Sequence, residues 1–329
     1  MKYDEGKISK YLIVKAKGGM GNRMLCAMTG ILYGQLSGRA AVVDWRDQAY
    51  SNDGSNTFSR FFTCAEVYPE TILPADGAVQ PSVWQGQVDK SMSQMLHEHD
   101  PTKHNSLLIH RKYSIDVRKL DYDEKIAVFW YYKDRLRALT KNLAKKGHAF
   151  AGLSRPQIIR KMLTEQMPIQ EQIRSRIAEF KAKYWHDTVI GLHIRHTDRQ
   201  TNLGKYERAV RRFLQRSPGA HIFLATDNQQ VSNEYRSKFE NVFSTPKWFP
   251  EGLSSMHQND SCPDRVANGI EALVDMYLLA ECDYLIYPGC STFSWISRVL
   301  SNIGSERVVD IDRFNPKVQL KQLIRELIM

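Results

Sequence analysis

The chain has 329 residues, of which 42% are hydrophobic and 10% aromatic, so it is neither disordered nor fibrous and is long enough for two domain cores. Its 46 lysine and arginine residues against 36 acidic ones give a net charge of +10, which favours anionic ligands such as nucleotides, nucleic acid or acidic lipid. The first 14 residues lack the basic and apolar regions of a signal peptide, no run of about 18 apolar residues occurs, and the five cysteines form no CxxC pair. We therefore expect a cytoplasmic protein with reduced thiols.

The first half begins with a strand, a glycine-rich loop, a helix and a second strand. These are YLIVKA at 11–16, KGGMGN at 17–22, RMLCAMTGILYGQLSG at 23–38 and AVVDW at 41–45. The order βαβ predicts parallel strands in an α/β layer. Residues 51–125 mix polar residues and prolines with scattered aromatics, and only two further strands are predicted in this half, near 106–110 and near 126–131.

From residue 166 the pattern becomes a regular alternation of helices and strands. Helices are predicted at 169–185, 205–216, after Asn228, at 266–281 and at 293–300, and strands at 187–194, 221–226, 242–244, 283–288 and 307–311. Short apolar strands between amphipathic helices predict a doubly wound parallel sheet, which binds its ligand at the carboxyl ends of the strands. We therefore expect two domains, 1–165 and 166–329, with a cleft between them.

The glycine-rich loop is the first candidate for a ligand site. Gly18, Gly19 and Gly21 permit a tight turn with a close backbone approach, and the helix that follows favours an anion such as phosphate at its N-terminus. The dinucleotide pattern G-x-G-x-x-G is incomplete, because Met24 occupies the place of the third glycine. Asp44, at the end of the next strand, is suitably placed for a ribose, so an NAD enzyme stays open, as does a loop that uses glycine only to turn.

A charged segment directly follows the predicted strand at 187–194. His193 and Arg195 alternate along the strand and so point to the same side, and the guanidinium of Arg195 matches phosphate oxygens. It can stabilise a departing diphosphate without a metal, and His196 beside it can hydrogen-bond a base, a ribose or a phosphate. The alternative is a charged turn exposed to solvent.

Three further segments fit a nucleotide. Asp227 follows another strand, where it and the asparagine beside it either address a ligand or cap the next helix. Glu271 and Asp275 share one face of a helix, and a carboxylate can accept both N–H groups of a guanine edge. Ser291 and Ser294 begin another helix, where hydroxyls and backbone N–H groups can bind phosphate, although Ser291 is equally suited as a helix cap.

Two DxD strings, at 121–123 and 310–312, are the remaining candidates for chemistry. Such strings hold a divalent cation on a sugar diphosphate in many glycosyltransferases, but the pattern is short and arises often by chance. No HExxH, GK[ST] loop, G-x-S-x-G elbow or zinc spacing is present. We therefore predict no metal site and no cofactor.

Together the motifs resemble a known family. The matching segments are GGMGNR, AVVDWRDQAY, Asn56-Thr57-Phe58 with Phe61-Phe62, GLHIRHTD, IFLATDN, TPKWFP and EALVDMYLLAECDYLI with the turn at Ser294. They resemble the bacterial nodulation fucosyltransferase and, more distantly, the animal α1,6-fucosyltransferase that modifies the N-glycan core. The resemblance spans residues 10–62 and 185–300 but not 63–165, and its specific parts are H-x-R-x-T-D and ALVDMYLLAEC.

The resemblance implies a fold and a donor. The fold would be α/β and GT-B-like, with two Rossmann-like domains facing across a cleft. The donor would be GDP-fucose, used without a metal and with inversion at the sugar carbon. Domain 1–165 would lie on the acceptor side, and domain 166–329 would bind the GDP-sugar, with the last helix packed back on the first domain.

The resemblance also assigns roles in donor binding. Arg195 would bind the β-phosphate and Ser294 a phosphate. His193 and Asp275 would contact the guanine or its ribose, and Asp227 the nucleoside side of the cleft. The donor-binding candidates as a group are Gly19, Gly21, Asn22, His193, Arg195, His196, Asp227, Asp275, Ser291 and Ser294.

Transfer to an acceptor hydroxyl needs in-line placement, partial deprotonation of the hydroxyl and stabilisation of the leaving GDP. Arg195 meets the last need and is a predicted catalytic residue. The acidic residue that is a candidate base in the animal enzymes is matched here by Leu203, so the base is sought elsewhere. Asp198 is the first candidate, Glu207 the second and Asp44 the third.

The expected activity is therefore transfer of L-fucose, with α1,6 linkage by resemblance, to an oligosaccharide or glycolipid by a cytoplasmic, metal-independent enzyme. The alternatives are transfer from another GDP-sugar and a non-catalytic basic protein that binds polyanions through the same arginines. We expect no nucleic-acid partner, while the positive surface also suits peripheral contact with an anionic membrane.

Overall fold

The structure is a computed structural model that describes residues 9–68, 77–102, 109–197, 201–250, 259–313, 315, 316 and 320. The chain forms two α/β units, Met1–Gln170 and Glu171–Met329, each built on its own parallel sheet. The expected last helix lies outside the described residues. Within the described ranges, no helix is long and apolar enough to cross a membrane.

The N-terminal unit has four parallel strands in the order β2-β1-β4-β3. Its strands are β1 (Tyr11–Lys15), β2 (Ala40–Asp44), β3 (Val79–Gln80) and β4 (Ile126–Phe129). Its helices are α1 (Met20–Ser37), α2 (Phe58–Phe61), α3 (Met92–His99), α4 (Ile109–Tyr113), α5 (Leu136–Lys145) and α6 (Arg155–Lys161). β1 lies between β2 and β4, and its apolar residues Leu12, Ile13 and Val14 are buried on both faces of the sheet. The predicted βαβ opening is confirmed.

One predicted strand of this unit is a helix. Ile109 and His110, the described part of the segment 106–110, begin α4, and residues 106–108 lie outside the described residues. Ile109 and Tyr113 are both buried and lie four residues apart, which is helical spacing. The strand prediction was wrong at this end because so short an apolar run does not reveal its period.

The C-terminal unit has five parallel strands in the order β7-β6-β5-β8-β9. Its strands are β5 (Val189–Ile194), β6 (His221–Thr226), β7 (Val242–Phe243), β8 (Tyr284–Tyr287) and β9 (Val308–Asp310). Its helices are α7 (Glu171–Tyr184), α8 (Leu203–Arg216), α9 (Gln229–Lys238), α10 (Arg265–Glu281) and α11 (Thr292–Leu300). The doubly wound parallel sheet predicted from the alternation is confirmed.

The strand order of this sheet reverses at β5. β6 and β7 extend the sheet to one side of β5, and β8 and β9 extend it to the other. In doubly wound sheets the ligand crevice lies at such a switch point, outside the carboxyl ends of the strands. The segments that follow β5, β6 and β8 therefore share the edge of the sheet where a ligand is expected.

The two faces of β5 pack differently. Ile190, Leu192 and Ile194 belong to the core formed with α8 and α9. Gly191 lies on the other face, where a Cβ atom would come within 2.8 Å of Cys282 Sγ and 3.1 Å of its Cβ. Because side chains alternate along a strand, His193 shares the face of Gly191. Glycine thus lets the C-terminal end of α10 approach the strand closely.

We expect the substitution Gly191→Ala to lower the free energy of unfolding by about 1–3 kcal/mol, because the added methyl group overpacks the contact with α10. The matched control is Gly219→Ala in the same unit, where an added Cβ meets nothing within 4 Å. Urea unfolding of both variants measures the difference. Equal stability of the two variants would show that the approach of α10 does not depend on glycine.

Candidate functional site

The polar segments predicted from the sequence meet at the carboxyl edge of the C-terminal sheet. The segment 193–197 includes the end of β5, 226–228 begins with the last residue of β6, and 288–294 follows β8 and enters α11. β5 pairs with both neighbours in parallel, so these segments leave the sheet side by side. We call them together the strand-end cluster.

Asp227 fixes the segment that follows β5. Its Oδ1 accepts a hydrogen bond from the backbone N–H of His196 at 2.8 Å, and its Oδ2 accepts one from the hydroxyl of Thr197 at 2.7 Å. Asn228, not Asp227, caps α9, since its Oδ1 accepts from the N–H of Val231 at 3.0 Å. Asp227 therefore orients the main chain that carries Arg195, and both of its oxygens already have protein donors.

His193 is buried at the centre of the cluster. Its ring is 7% exposed and stacks on Phe293 with ring centroids 4.9 Å apart. Burial, helped by the positive charges of Arg195 and Lys247, lowers the pKa of His193 to about 3, so the imidazole is neutral at physiological pH. Its Nδ1 has no hydrogen-bond partner among the described residues. A buried ring nitrogen of this kind is suited to a hydrogen bond from a ligand.

The start of α11 supplies further unsatisfied groups. Ser291 occupies the N-cap position but makes no side-chain cap hydrogen bond, so its predicted role as a cap is not realised. The hydroxyls of Ser291 and Ser294 are buried and lack a partner in the part of the chain that the structure describes. The first N–H groups of a helix have no intrahelical acceptor and favour an anion. This helix start therefore suits a phosphate group.

A second buried charge cluster lies on α10. Asp275 is 5% exposed, and its Oδ1 accepts a hydrogen bond from the hydroxyl of Thr245 at 2.6 Å. Its Oδ2 forms an ion pair with Lys247, whose side chain is also buried. Glu271, one turn earlier, has a buried Oε2 without a partner among the described residues, and burial raises the pKa of its carboxyl group. The predicted shared face of the two acids is occupied by the segment 245–248.

Thr245 and Lys247 were missed in the sequence. They belong to TPKWFP, a segment noted only for its resemblance, and no local period relates them to Asp275, which lies 30 and 28 residues further along. The sequence feature that could have indicated this contact is a loop lysine in a chain that also carries two acidic residues on one helix face. Since the charge of Lys247 also lowers the pKa of His193, this lysine lies close to both predicted guanine contacts.

The structure describes two of the three candidate bases, Glu207 and Asp44. Asp198 lies outside the described residues. Glu207 accepts a hydrogen bond from Lys238 Nζ at 2.6 Å, at the C-terminal end of α9. Glu207 is therefore already engaged in an ion pair with Lys238.

Asp44 lies in the N-terminal unit and is neutralised there. Its carboxylate forms ion pairs with Lys15 at 2.6 Å and with Arg46 at 2.8 Å. Burial alone would raise the pKa of Asp44, but the charges and hydrogen bonds of these two cations outweigh it and lower the pKa below its usual range. A carboxylate held this way is a weak base, and its oxygens are not open to the ribose of an NAD.

The glycine-rich loop adopts the predicted tight turn in the N-terminal unit. Gly18 has φ +86°, and Gly19 precedes α1 in an extended conformation. The carbonyl of Gly19 accepts hydrogen bonds from the N–H groups of Asn22 and Arg23 at 3.0 and 3.2 Å. Arg23 is buried, donates to Gly18 O at 2.7 Å and pairs with Asp47 at 2.5 Å. Gly19, Gly21 and Asn22 thus belong to a braced loop in the other unit from the strand-end cluster.

The two DxD strings differ in their surroundings. Asp121 and Asp123 are exposed. Asp310 and Asp312 accept hydrogen bonds from backbone N–H groups of the turn before α11. No group of three or more His, Cys, Asp or Glu residues is arranged to hold a metal ion within the described ranges.

Comparison with known proteins gives the chain a family. The sequence profile of Nodulation protein Z (NodZ) matches residues 156–325, which is more than half of the chain. The chain belongs to the NodZ family. The match contains the whole strand-end cluster and Asp275, so the family resemblance inferred from the motifs is confirmed.

Two individual NodZ proteins match over most of their length, and a third matches over less than half. The chain is 25% identical to nodulation protein Z of Azorhizobium caulinodans over 92% of this chain and 91% of that protein. It is 23% identical to the protein of Sinorhizobium fredii over 94% and 95%. With the Bradyrhizobium diazoefficiens protein the identity is 30% over 44% of this chain and 42% of that protein.

Solved NodZ structures share the fold. The crystal structure of NodZ α1,6-fucosyltransferase soaked with GDP-fucose superposes with a TM-score of 0.60 and 23% identity, covering 89% of this chain and 93% of that chain. The selenomethionine form of fucosyltransferase NodZ from Bradyrhizobium gives 0.60 and 23%, covering 89% and 92%. The predicted α/β, GT-B-like fold class is confirmed.

The buried state of His193 predicts a pH dependence of stability. Its folded pKa of about 3 lies below the unfolded value of about 6.5, so only the unfolded chain takes up this proton between the two values. This contribution to stability is complete above pH 6.5 and is lost as the pH falls, by about 2 kcal/mol between pH 7 and 5. The substitution His193→Phe keeps a stacked ring without a proton, so urea unfolding should show a shallower pH dependence. An unchanged dependence would contradict the assignment.

Removal of Lys247 should leave a buried charge without its partner. We expect Lys247→Met to lower the free energy of unfolding by about 3–5 kcal/mol, and the double change Lys247→Met with Asp275→Asn to restore much of it. Lys238→Met, which removes two surface ion pairs, with Glu207 and Glu234, is the matched control and should change stability by less than about 1 kcal/mol. Additive effects of the two changes in a double-mutant cycle would refute a buried pair.

Proposed function

We propose that this NodZ-family chain is an inverting α1,6-fucosyltransferase that transfers L-fucose from GDP-fucose to an oligosaccharide hydroxyl. One observation carries the proposal in the chain itself. His193 Nδ1 and the hydroxyls of Ser291 and Ser294 are buried polar atoms without partners among the described residues, and they lie at the switch point of the doubly wound sheet. Buried polar atoms without hydrogen-bond partners lower the stability of the fold, and a ligand that completes their hydrogen bonds removes this loss.

The diphosphate of the donor would bind at the start of α11. Ser291 and Ser294 would donate hydroxyl hydrogen bonds to it, and the helix terminus would add backbone N–H groups and its positive dipole. Arg195, which follows β5 on the face of His193, would pair with the β-phosphate through its planar fork of donors. These groups stabilise the charge that develops on GDP as the sugar bond breaks.

The guanosine would lie between His193 and α10. The carboxylate of Asp275 has further lone pairs besides those that bind Thr245 and Lys247. It can therefore accept the two N–H groups of a guanine edge. His193, neutral and buried, offers one ring nitrogen to the base or the ribose. Uracil or adenine would leave these buried groups unpaired, which is the strongest means of rejecting a wrong ligand.

Catalysis then needs a base and an acceptor. The hydroxyl of the acceptor would attack the anomeric carbon opposite to GDP and invert it, while Arg195 and α11 hold the leaving group. Asp198 stays the first candidate for the base, three residues after Arg195. Asp44 and Glu207 are weaker candidates, since each is held in an ion pair. We propose that cationic and backbone donors replace a divalent metal at the diphosphate.

The acceptor is proposed to be an oligosaccharide or glycolipid that binds to the N-terminal unit, since the donor candidates with unsatisfied atoms all lie in the C-terminal one. The five cysteines are all free thiols in the structure, which supports a reducing compartment such as the cytoplasm. Family membership argues against a non-catalytic polyanion-binding protein. Transfer from another GDP-sugar stays open, because the proposed contacts address GDP rather than the sugar.

The purified chain should be stabilised by GDP and GDP-fucose, with or without EDTA, but much less by UDP or NAD. At 100 times the dissociation constant the gain is about 2.7 kcal/mol, which thermal unfolding detects readily. We expect Arg195→Lys to weaken GDP binding by about tenfold or more, since a fork of donors becomes a point charge. The matched control, Arg212→Lys on the exposed face of α8, should bind GDP like the parent chain.

Release of GDP from GDP-fucose in the presence of a panel of oligosaccharides tests the transfer itself. No stabilisation by GDP would refute the proposed donor. Stabilisation that disappears in EDTA would refute metal independence while leaving the donor in place. A larger effect of GDP-mannose than of GDP-fucose would favour the alternative GDP-sugar transferase.

A further inference from the structure

We propose that Asp310 and Asp312 are positioning residues for the donor's diphosphate. Through hydrogen bonds to the main chain they fix the turn at 288–291, which places Ser291 and Ser294 at the start of α11. The inference rests on the proposed function, because it concerns the same phosphate site. It also assigns a role to the second DxD string that the reaction itself does not use.

The two carboxylates hold successive N–H groups of the turn. Asp310 Oδ1 accepts from Gly289 N–H at 2.8 Å and also from Asp312 N–H at 2.8 Å. Asp312 Oδ2 accepts from Cys290 N–H at 3.2 Å. The next N–H, that of Ser291, donates to the carbonyl oxygen of Pro288 at 2.9 Å. The three N–H groups ahead of α11 therefore have protein acceptors, whereas the buried hydroxyls of Ser291 and Ser294 have none among the described residues and are left for a phosphate.

The position of Asp310 is set by the sheet and not by the turn. Asp310 ends β9, where it lies opposite Tyr287 at the end of β8. The N–H of Ile311 donates to the carbonyl of Tyr287 at 2.9 Å and continues this pairing. The edge strand β9 thus carries a carboxylate to a fixed place beside the turn. Its contacts tie the helix start to the sheet.

Gly289 shows how close this approach is. A Cβ atom at this residue would lie 2.1 Å from Asp310 Oδ2 and 2.6 Å from its Cγ. Distances below 3.0 Å are not tolerated by real Cβ atoms, so the turn accepts only glycine while the carboxylate stays in place. Gly289 and Asp310 are therefore coupled, and a substitution of either residue should displace the other.

This arrangement separates positioning from metal binding. A carboxylate that coordinates a metal needs its charge, so an amide at the same place would fail. A carboxylate that only accepts N–H hydrogen bonds can be replaced by an amide, whose carbonyl oxygen accepts in the same way. The variants Asp310→Asn and Asp310→Ala therefore distinguish the two roles.

We expect Asp310→Ala to weaken GDP binding about tenfold, and Asp310→Asn to stay within about twofold of the parent. Gly289→Ala should weaken binding as Asp310→Ala does. The double variant should be no weaker than either single variant, because alanine at 310 leaves no carboxylate for the new methyl group to meet. Calorimetric titration with GDP measures affinity, and steady-state kinetics should show the effect in KM for GDP-fucose more than in kcat.

The matched control is Asp283→Ala. Asp283 makes the same kind of bond, accepting from Val189 N–H at 2.8 Å, but it lies at the amino edge of the same sheet. It should lower stability without changing GDP affinity. If Asp310→Ala proves too unstable to titrate, Asp312→Ala can replace it. This variant removes a single, longer hydrogen bond to the turn and should weaken GDP binding to a smaller extent.

Three results would overturn the inference. These are unchanged GDP affinity in folded Asp310→Ala, equal loss in the alanine and asparagine variants, and additive effects of the Gly289 and Asp310 changes. A parent chain that does not bind GDP would instead refute the proposed donor. The double-mutant cycle in unfolding free energy would then still decide whether Asp310 anchors the turn.

Discussion

The candidate site of the C-terminal unit depends on the parallel pairing of β5 with strands on both sides. Leu192 lies opposite Leu224 of β6 and opposite Ile286 of β8, and this register brings three chain segments out at one edge of the sheet. A slip of β5 by one residue would turn His193 and Arg195 into the apolar core against α8 and α9. Burial of the opposite face therefore fixes the side on which the charged residues appear. The position of the site follows from the packing of the core.

Around this edge the polar groups divide into two kinds. Asp227 and Asp275 have protein donors on both carboxylate oxygens, which hold them in place, and the charge of Asp275 is also paired with Lys247. His193 Nδ1 and the hydroxyls of Ser291 and Ser294 are buried without partners in the described part of the chain. Each unsatisfied buried group costs about 1–3 kcal/mol of stability. Several of them lie together, next to carboxylates with protein donors, and we interpret this loss of stability as the cost of the proposed ligand site.

Sequence patterns located the sheet of this site but not the contacts that hold it. The apolar runs of β5, β6 and β8, each followed by polar residues, were sufficient to predict the edge, and alternation placed His193 and Arg195 on one side. Periods of 2 and 3.6 residues report only neighbours within one element, however. The bonds of Asp227 to the loop after β5, of Lys247 to α10 and of Asp310 to the turn before α11 join residues 21 or more positions apart. Such partners become visible only when the elements are packed.

In the proposed complex with GDP-fucose, the arrangement of charge would also separate recognition of the phosphates from recognition of the base. The carboxylate of Asp275 is paired with Lys247, so it presents little free negative charge to a diphosphate. Arg195 and Lys247 are close enough to lower the pKa of His193, which is buried and stays neutral. A bound diphosphate would offset these positive charges but not the burial, which is the larger cause. His193 would therefore stay neutral near pH 7 and recognise its ligand by hydrogen bonding. Arg195 and the start of α11 would recognise the charge of the phosphates.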